Sequence, residues 1–473
     1  MSGSPTRPSP SPSEVGFSVF SRRQMLASAA GAAGLVGLLS ACGSDGDSDS
    51  GSAGTDAGST GTDAAGSTGT DAAAGGSTGA ASGEVTFGSN YSDTKDSAAI
   101  AATMDAFPNE NVTITINTTD HNSYQENITT YLQQPDDVLS WFAGYRMRFF
   151  AAQGLVGDIS DVWANLTEMS DGFKTASTGD DGKQYFVPLY YYPWAVHYRK
   201  SLFEENGYTI PTTWDEFIAL AEQMKTDGLI PLVAANDGKW PQMGMFDQLN
   251  LRMNGYDFHV ALMAGKESWE DDKVKAVFEQ WAQLLPLYQD GANGRTWQDG
   301  ANALGDKSAG MYLLGTFVTS NFDPATNPDA QSIIDDIDFF AFPEINPEHG
   351  QDAVEAPIDG FMMAASPKNE AAAKELLGFL GTAPAVEAFL AVNPASVAAS
   401  SAASTANYTA IQQKSAEFVG GAKYIAQFLD RDTNPEFASN VMGDAIANFI
   451  NDPSSIDSIL ATVEEQKQTI FTS

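Results

Sequence analysis

From residue 84 onward, apolar and polar positions fall into two recurring patterns. Short runs with period two predict strands at Val85–Gly88, Val112–Ile116 and Val138–Phe142. Longer stretches with helical character lie between them, at Ala98–Phe107 and around Tyr124–Leu132. Strands separated by helices predict a parallel sheet of the α/β type. Thr213-Trp214-Asp215-Glu216 has the form of a capping box, with Phe217, Leu220, Ala221 and Met224 on one face of the helix it opens and Gly228 stopping it. Asp271 and Asp272 precede a second stripe: Val274, Val277, Phe278, Trp281 and Leu285. Strand-like runs return at Met311–Leu314, Ile337–Phe340 and Phe361–Ala364. After Pro367 helical patterns dominate, broken by Gly381, Pro384 and Pro394, and no solenoid repeat is visible. Two interleaved α/β lobes would explain the late return of strands.

The first 83 residues follow neither pattern. Arg22-Arg23 has the form of a twin-arginine (Tat) export signal, and a weakly apolar run from Ala27 to Ala41 follows it. The run ends in Leu39-Ser40-Ala41-Cys42, the form of a lipoprotein cleavage box around the only cysteine. A stable membrane span needs about 20 strongly apolar residues, and this run is shorter and rich in Ala and Gly. Residues 1–41 are therefore expected to be a signal peptide. The mature chain is expected to start at Cys42, lipid-anchored at the outer face of the cytoplasmic membrane. Residues 42–83 repeat GSTGTDA at 58–64 and 66–72 and, after Cys42, contain no apolar residue larger than Ala. They read as a disordered linker that tethers a globular body starting near Glu84.

Charge narrows the partners. Lys and Arg total 24 against 61 Asp and Glu, a formal net charge of −37. Such a chain repels phosphate backbones, which argues against nucleic acid. With its one cysteine assigned to lipid, no disulfide can form. There are four histidines, no HExxH, no GxSxG elbow and no GxxxxGK[ST] loop, so no metal or cofactor is expected and no catalytic group is singled out. Carboxylates are plentiful, but no pair stands out as a glycosidase couple.

Aromatic residues interleaved with polar ones carry more information. They gather at Trp141–Arg146, Tyr190–Trp194, Lys239-Trp240-Pro241 with Phe246-Asp247, Arg295–Asp299 and Asp359-Gly360-Phe361. A sugar has apolar C–H faces on which rings stack and a hydroxyl rim that Asp, Asn, Gln, His and Arg can pair. Open α/β sheets bind ligands at the carboxyl ends of their strands.

Six segments then resemble one family. They are PDDVLSWFAGYRMRFFAAQGLVGDISDVW (135–163), VPLYYYPWAVHYRKSLFEENGYTIPTTWDEF (187–217), FDQLNLRMNGYDFHVALMAGKESW (246–269), GRTWQD (294–299), GMYLLGTF (310–317) and APIDGFMMAASP (356–367). They are similar to the carbohydrate-binding lipoproteins of ABC importers, a group related to maltose-binding proteins. The resemblance spans most of residues 84–400.

It implies an α/β, two-lobed periplasmic-binding-protein-like fold with a hinge of three chain crossings and a helical C-terminal region. By position the crossings would lie near Tyr191–Tyr198, Met311–Gly315 and Ile358–Phe361. The first lobe would hold 84–193 and 315–358, the second 194–314 and 359–473. A mono- or oligosaccharide would lie between the lobes, and the chain, likened to a monomeric receptor, would deliver it to permease subunits without catalysis. Tyr91, His121, Trp141, Tyr145, Arg146, Tyr192, Trp240, Asp247, Trp297, Gly315 and Asp359 are the contacts the resemblance implies. For His121 a capping or structural role is an equal alternative, and Arg146 could instead pair with a carboxylate of the first lobe. The rival readings are a secreted glycan-active enzyme and a sensory or adhesive sugar-binding lipoprotein without transport.

Overall fold

The computed structural model describes residues 81–471. The signal peptide, Cys42 and nearly all of the tether lie outside the described residues. Twelve strands appear in chain order: β1 (Gly83–Ser89), β2 (Val112–Thr118), β3 (Val138–Phe142), β4 (Val187–Tyr191), β5 (Trp194–Arg199), β6 (Ile230–Val233), β7 (Ala309–Gly315), β8 (Ile337–Phe340), β9 (Ala353–Glu355), β10 (Ile358–Met363), β11 (Val397–Ala398) and β12 (Tyr424–Ala426).

Six of these form one sheet, in the order β11-β4-β10-β3-β1-β2. β1 pairs in parallel with both β2 and β3, while β10 runs antiparallel between β3 and β4. The burial of each strand follows its place. β3 and β10 are interior and buried at every position, whereas β2 is the edge: Val112 is buried, Ile114 and Ile116 are half-buried, and the residues between them are exposed. A second sheet has the order β6-β7-β5-β8. β5 is its antiparallel centre, and every residue of β5 and β7 is buried.

Helices cover both sheets. Thr213 and Glu216 close the capping box read from the sequence and start the helix Trp214–Thr226. Asp271 caps Asp272–Ala282, whose Val274, Val277, Phe278 and Trp281 are buried. The long helix Met243–Met263 breaks at Gly255, whose φ of 80° suits glycine. In the C-terminal region Ile456–Ile470 packs on Asp272–Ala282.

The lobe boundaries differ from those expected at two places. The resemblance places residues 315–358 in the first lobe, yet β8 pairs with β5 in the second sheet. It places residues from 359 onward in the second lobe, yet β10 and β11 belong to the first sheet. The helices Glu370–Leu380 and Ala383–Val392 pack there as well, against β10 and against Thr94–Asp105. The expected crossing at Met311–Gly315 is consequently replaced, because β7 lies inside the second sheet. A buried apolar run such as Ile337–Phe340 suits either sheet, and only long-range pairing decides between them.

The chain passes between the sheets at Tyr192-Pro193, through residues 341–357, and after β11. β9 and β12, both in connecting segments, pair in parallel alongside these passages. The body also begins earlier than Glu84. The Ala81 N–H donates to Glu375 Oε2 at 2.8 Å, and the Gly83 N–H to the Asn111 carbonyl at 2.9 Å.

Candidate functional site

A cavity of about 180 Å³ opens where strand ends of the two sheets face each other. From the first sheet come Asn90–Asp93 after β1, Asp120–Asn122 after β2, Phe142 at the end of β3, Tyr190 and Tyr192 around the end of β4, and Asp359 of β10. From the second come Trp194 at the start of β5, Asp237 and Trp240 after β6, and Phe317 after β7. Thr296–Gln298, Phe428, Asp430 and Arg431 complete that side. Most of these positions follow the carboxyl ends of strands, as open α/β sheets arrange their sites.

The aromatic side chains form a mutually braced wall. Trp240 stands edge-on to Trp194 at 6.3 Å and 88°, and Trp297 edge-on to Phe317 at 5.3 Å and 89°. Trp194 and Phe428 are buried, whereas Trp240 and Trp297 are only half-buried and present ring surface.

Polar groups occupy the rest of the lining. Arg431 Nη1 donates to Asp359 Oδ1 at 2.6 Å. The Asn393 amide donates to Asp96, and Asn393 Oδ1 is buried without a hydrogen-bond partner. Gln125 accepts at Oε1 from Arg146 at 2.8 Å, which leaves its Nε2 to donate to His121 Nε2, also at 2.8 Å. Burial, then the Arg431 charge, hold His121 down to about 4, so its ring is neutral at neutral pH. Burial, then the like charge of Asp93, push Asp96 up to about 7. Burial also raises Asp359 and Asp430, against the pull of Arg431.

The rims meet around this lining. Gln298 Nε2 donates to Asp93 Oδ2 at 3.4 Å, and Lys95 Nζ to the Phe322 carbonyl at 3.2 Å. Gly238 abuts Asn122, where a Cβ would come within 3.1 Å of the amide nitrogen. The two lobes are thus closed on one another. Among the described residues no group of His, Cys, Asp and Glu is arranged to hold a metal ion.

Of the eleven contacts implied by the sequence, the structure brings Tyr91, His121, Tyr192, Trp240, Trp297 and Asp359 to the cavity. It places five elsewhere. Trp141 is 1 % exposed, packed among Tyr124, Phe142 and Phe150 with the Arg146 guanidinium 4.7 Å from its ring. β3 is an interior strand, so a side chain pointing away from the cleft is enclosed by core. Tyr145 stacks with Phe149 outside the cavity. Arg146 sits behind the lining, where it reaches Gln125 and lies 4.0 Å from Asp430 across the lobes. Its carboxylate is therefore not one of the first lobe. Asp247 is fully buried in the second lobe and accepts the Leu429 N–H at 2.7 Å. Gly315 ends β7 beneath Phe317 and Tyr192, where a Cβ would clash.

The sequence reading missed Asp96, Gln125, Phe317, Asn393, Phe428 and Arg431, and it placed Trp194 in an aromatic cluster without naming it as a contact. Asp430-Arg431-Asp432 does leave a signal, as three alternating charges beside the apolar Phe428-Leu429. Asn393 leaves none, since an Asn just past a helix reads as a helix stop.

Comparison with known proteins agrees with this geometry. Residues 91–387, well over half the chain, match the family described as bacterial extracellular solute-binding protein. The crystal structure of the bacterial solute receptor AcbH, described as having an exclusive substrate preference for β-D-galactopyranose, is 46 % identical. It superposes with a TM-score of 0.78 over 82 % of this chain and 99 % of that one. An uncharacterised ABC-transporter extracellular-binding protein of Pyrococcus horikoshii is 32 % identical over 130 residues, 27 % of this chain and 30 % of that protein. A probable sugar-binding periplasmic protein of Mesorhizobium japonicum is 25 % identical over 197 residues, 39 % of this chain and 46 % of that protein. The matched parts thus cover less than half the length of these last two relatives.

Proposed function

We propose, from the premise that this chain belongs to the bacterial extracellular solute-binding proteins, that it is the sugar receptor of an ABC importer, with D-galactose as its leading ligand. The observation that carries this reading is the closed cavity between the lobes, which combines two half-exposed tryptophans with a rim of carboxylates, amides and one arginine. Trp240 and Trp297 stack on the faces of the sugar ring. Asp96 and Asp359 accept hydroxyl protons, while Arg431 donates. Tyr91, His121 and Tyr192 complete the shape. Because the rims meet, the ligand is a monosaccharide or another short sugar. Galactose is named because AcbH, the 46 %-identical relative, is described as preferring it.

The receptor makes and breaks no covalent bond. It closes by hinge motion around the sugar and presents the closed form to permease subunits. The mature chain is exported by the twin-arginine route and acts as a monomer. It is held to the outer face of the membrane by lipid on Cys42, with residues 43–80 as the tether.

Calorimetric titration with D-galactose, D-glucose, L-arabinose and raffinose tests the ligand. The expected result is tight galactose binding and rejection of raffinose. A ligand at about a hundred times its Kd should add roughly 2.7 kcal/mol of stability, so thermal shift reads the same outcome. Absence of binding by every sugar would remove the reading. Cys42→Ala should free the protein from membranes, and retention of that variant would remove the anchor.

A further inference from the structure

A cluster of cross-lobe ion pairs lies beside the cavity, in a segment to which the sugar reading assigns only one ligand contact. Residues 430–432 read Asp-Arg-Asp and sit in the short helix Leu429–Asp432. Both ends of this segment are fixed to the second lobe. The Leu429 N–H donates to Asp247 Oδ2 at 2.7 Å, and Thr433 Oγ1 donates to the Met263 carbonyl at 2.6 Å. Asp247 and Met263 both belong to the helix Met243–Met263.

Each of the three charges nevertheless faces an opposite charge on the first lobe. Asp430 lies 4.0 Å from Arg146, Arg431 lies 2.6 Å from Asp359, and Asp432 lies 3.7 Å from Arg148. Arg146 and Arg148 are on the helix Tyr145–Ala152, and Asp359 is on β10. The backbone approaches just as closely. Gly144, at φ 106°, lies against the Arg431 carbonyl, and a Cβ there would come within 3.1 Å of that oxygen. Arg431 also lies over the Phe142 ring, 3.9 Å from its centroid.

We propose that Asp430-Arg431-Asp432 is an inter-lobe clasp in which Arg431 also contacts the ligand, while Asp432 and Arg148 act as positioning residues that favour the closed state without touching the ligand. This rests on the sugar-receptor reading for the ligand contact alone. Two atoms point to that contact: Arg431 Nε and Asp430 Oδ1, buried in cavity-lining residues, lie 3.5 Å apart as an ion pair and neither makes a hydrogen bond. A hydroxyl can accept from the first and donate to the second, so one sugar oxygen would complete both. The outer pair, Asp432 and Arg148, is absent from the cavity lining, and the Arg148 side chain is 30 % exposed. It can therefore affect affinity only through the fraction of molecules that are closed.

The test uses the mature chain with D-galactose as the probe. Arg148→Met keeps the apolar stem and removes the charge, and Asp432→Asn keeps the shape. Each variant should lose about tenfold in galactose affinity by titration calorimetry. The double variant should lose no more than either single one, because both act through one pair. By small-angle X-ray scattering, the sugar-free variants should have a larger radius of gyration than the native chain, and saturating galactose should restore the native closed value. Native affinity in either single variant, or losses that multiply in the double variant, would overturn the proposal. If the native chain binds no galactose, the sugar assignment fails by itself. The clasp is then judged by the sugar-free scattering, and an unchanged radius of gyration in both variants overturns it.

Discussion

Trp194 and Phe428 stack with ring centroids 4.5 Å apart and planes inclined by 28°, joining two parts of the chain that are 234 positions apart in sequence. Trp194 is the first residue beyond the Tyr192-Pro193 passage, and Phe428 lies two residues before Asp430 of the Asp-Arg-Asp segment. The stack thus ties one inter-sheet passage to the segment that meets the first lobe. Trp240 stands edge-on to both rings, at 6.3 Å from Trp194 and 6.4 Å from Phe428. The buried pair supports the wall, and the half-buried tryptophans carry its working surface.

That division gives the first prediction. Trp240→Ala and Trp297→Ala should each weaken sugar binding by about 1.5–3 kcal/mol, the loss of a stacking face and its buried area, with little change in the melting temperature of the sugar-free protein. Trp141→Ala should do the reverse. It empties a core site and should cost about 3–5 kcal/mol of stability while leaving affinity, measured well below the melting transition, near native. Calorimetric titration and scanning calorimetry on the three variants check this. A selective loss of affinity in Trp141→Ala would contradict the placement of that ring.

How much of this was legible in the sequence depended on how local the cause was. The capping box at Thr213–Glu216 and the stripe Val274, Val277, Phe278 and Trp281 follow from spacing within one turn or a few, and the structure has them as read, whereas Leu285, read into the same stripe, lies beyond the helix end in a 3-10 turn and is half-buried. Sheet membership was not legible. Ile337–Phe340 and Ile358–Met363 are both apolar runs, and their pairing partners lie far away in sequence. The site divided along the same line. Trp240 stands in a polar loop and Trp297 opens the helix Trp297–Gly305 behind its polar cap Thr296, positions that face a cleft, so the reading brought them to the cavity. Trp141 had the same kind of polar neighbours, but it sits within an interior strand, where alternate side chains face opposite sides of the sheet. Asp96 and Asn393 come together only because the helices Thr94–Asp105 and Ala383–Val392 pack side by side.

The second prediction concerns the start of the body. The Ala81 N–H and carbonyl bond Glu375 and Asn109, and Asn369 donates to the Ser82 carbonyl at 2.9 Å. A chain beginning at Glu84 loses these bonds along with the first pair of the β1–β2 ladder. At about 0.5–1.5 kcal/mol each, they should lower the melting temperature measurably relative to a chain beginning at Ser77. Equal melting temperatures would show that residues 81–83 contribute nothing to the fold.

The third prediction concerns pH and separates stability from binding. Asp96 is half-buried in the cavity wall, with Asp93 and Asp359 as like charges, Lys95 as a weaker counter-charge and Asn393 as its hydrogen-bond donor. Burial, then Asp93, raise it from 3.8 to about 7. The folded state therefore binds more protons than the unfolded chain between about pH 4 and 7. In that window stability falls as pH rises, and the Asp96 contribution is gone above the folded value. Asp432, which burial raises to about 6, acts in the same direction, so the comparison must be made against the native chain at each pH. Asp96→Asn should melt at a higher temperature than the native protein at pH 8 and at nearly the same temperature at pH 4. The same variant loses a charged acceptor for a sugar hydroxyl, which should cost about 1.5–3 kcal/mol of affinity at pH 8. A gain in sugar-free stability together with a loss of affinity is the pattern of a group retained for its ligand rather than for the fold. Scanning calorimetry at both pH values and titration at pH 8 decide the matter. If Asp96→Asn melts lower than the native protein at pH 8, Asp96 is a structural hydrogen-bond partner of Asn393 and not a strained ligand acceptor.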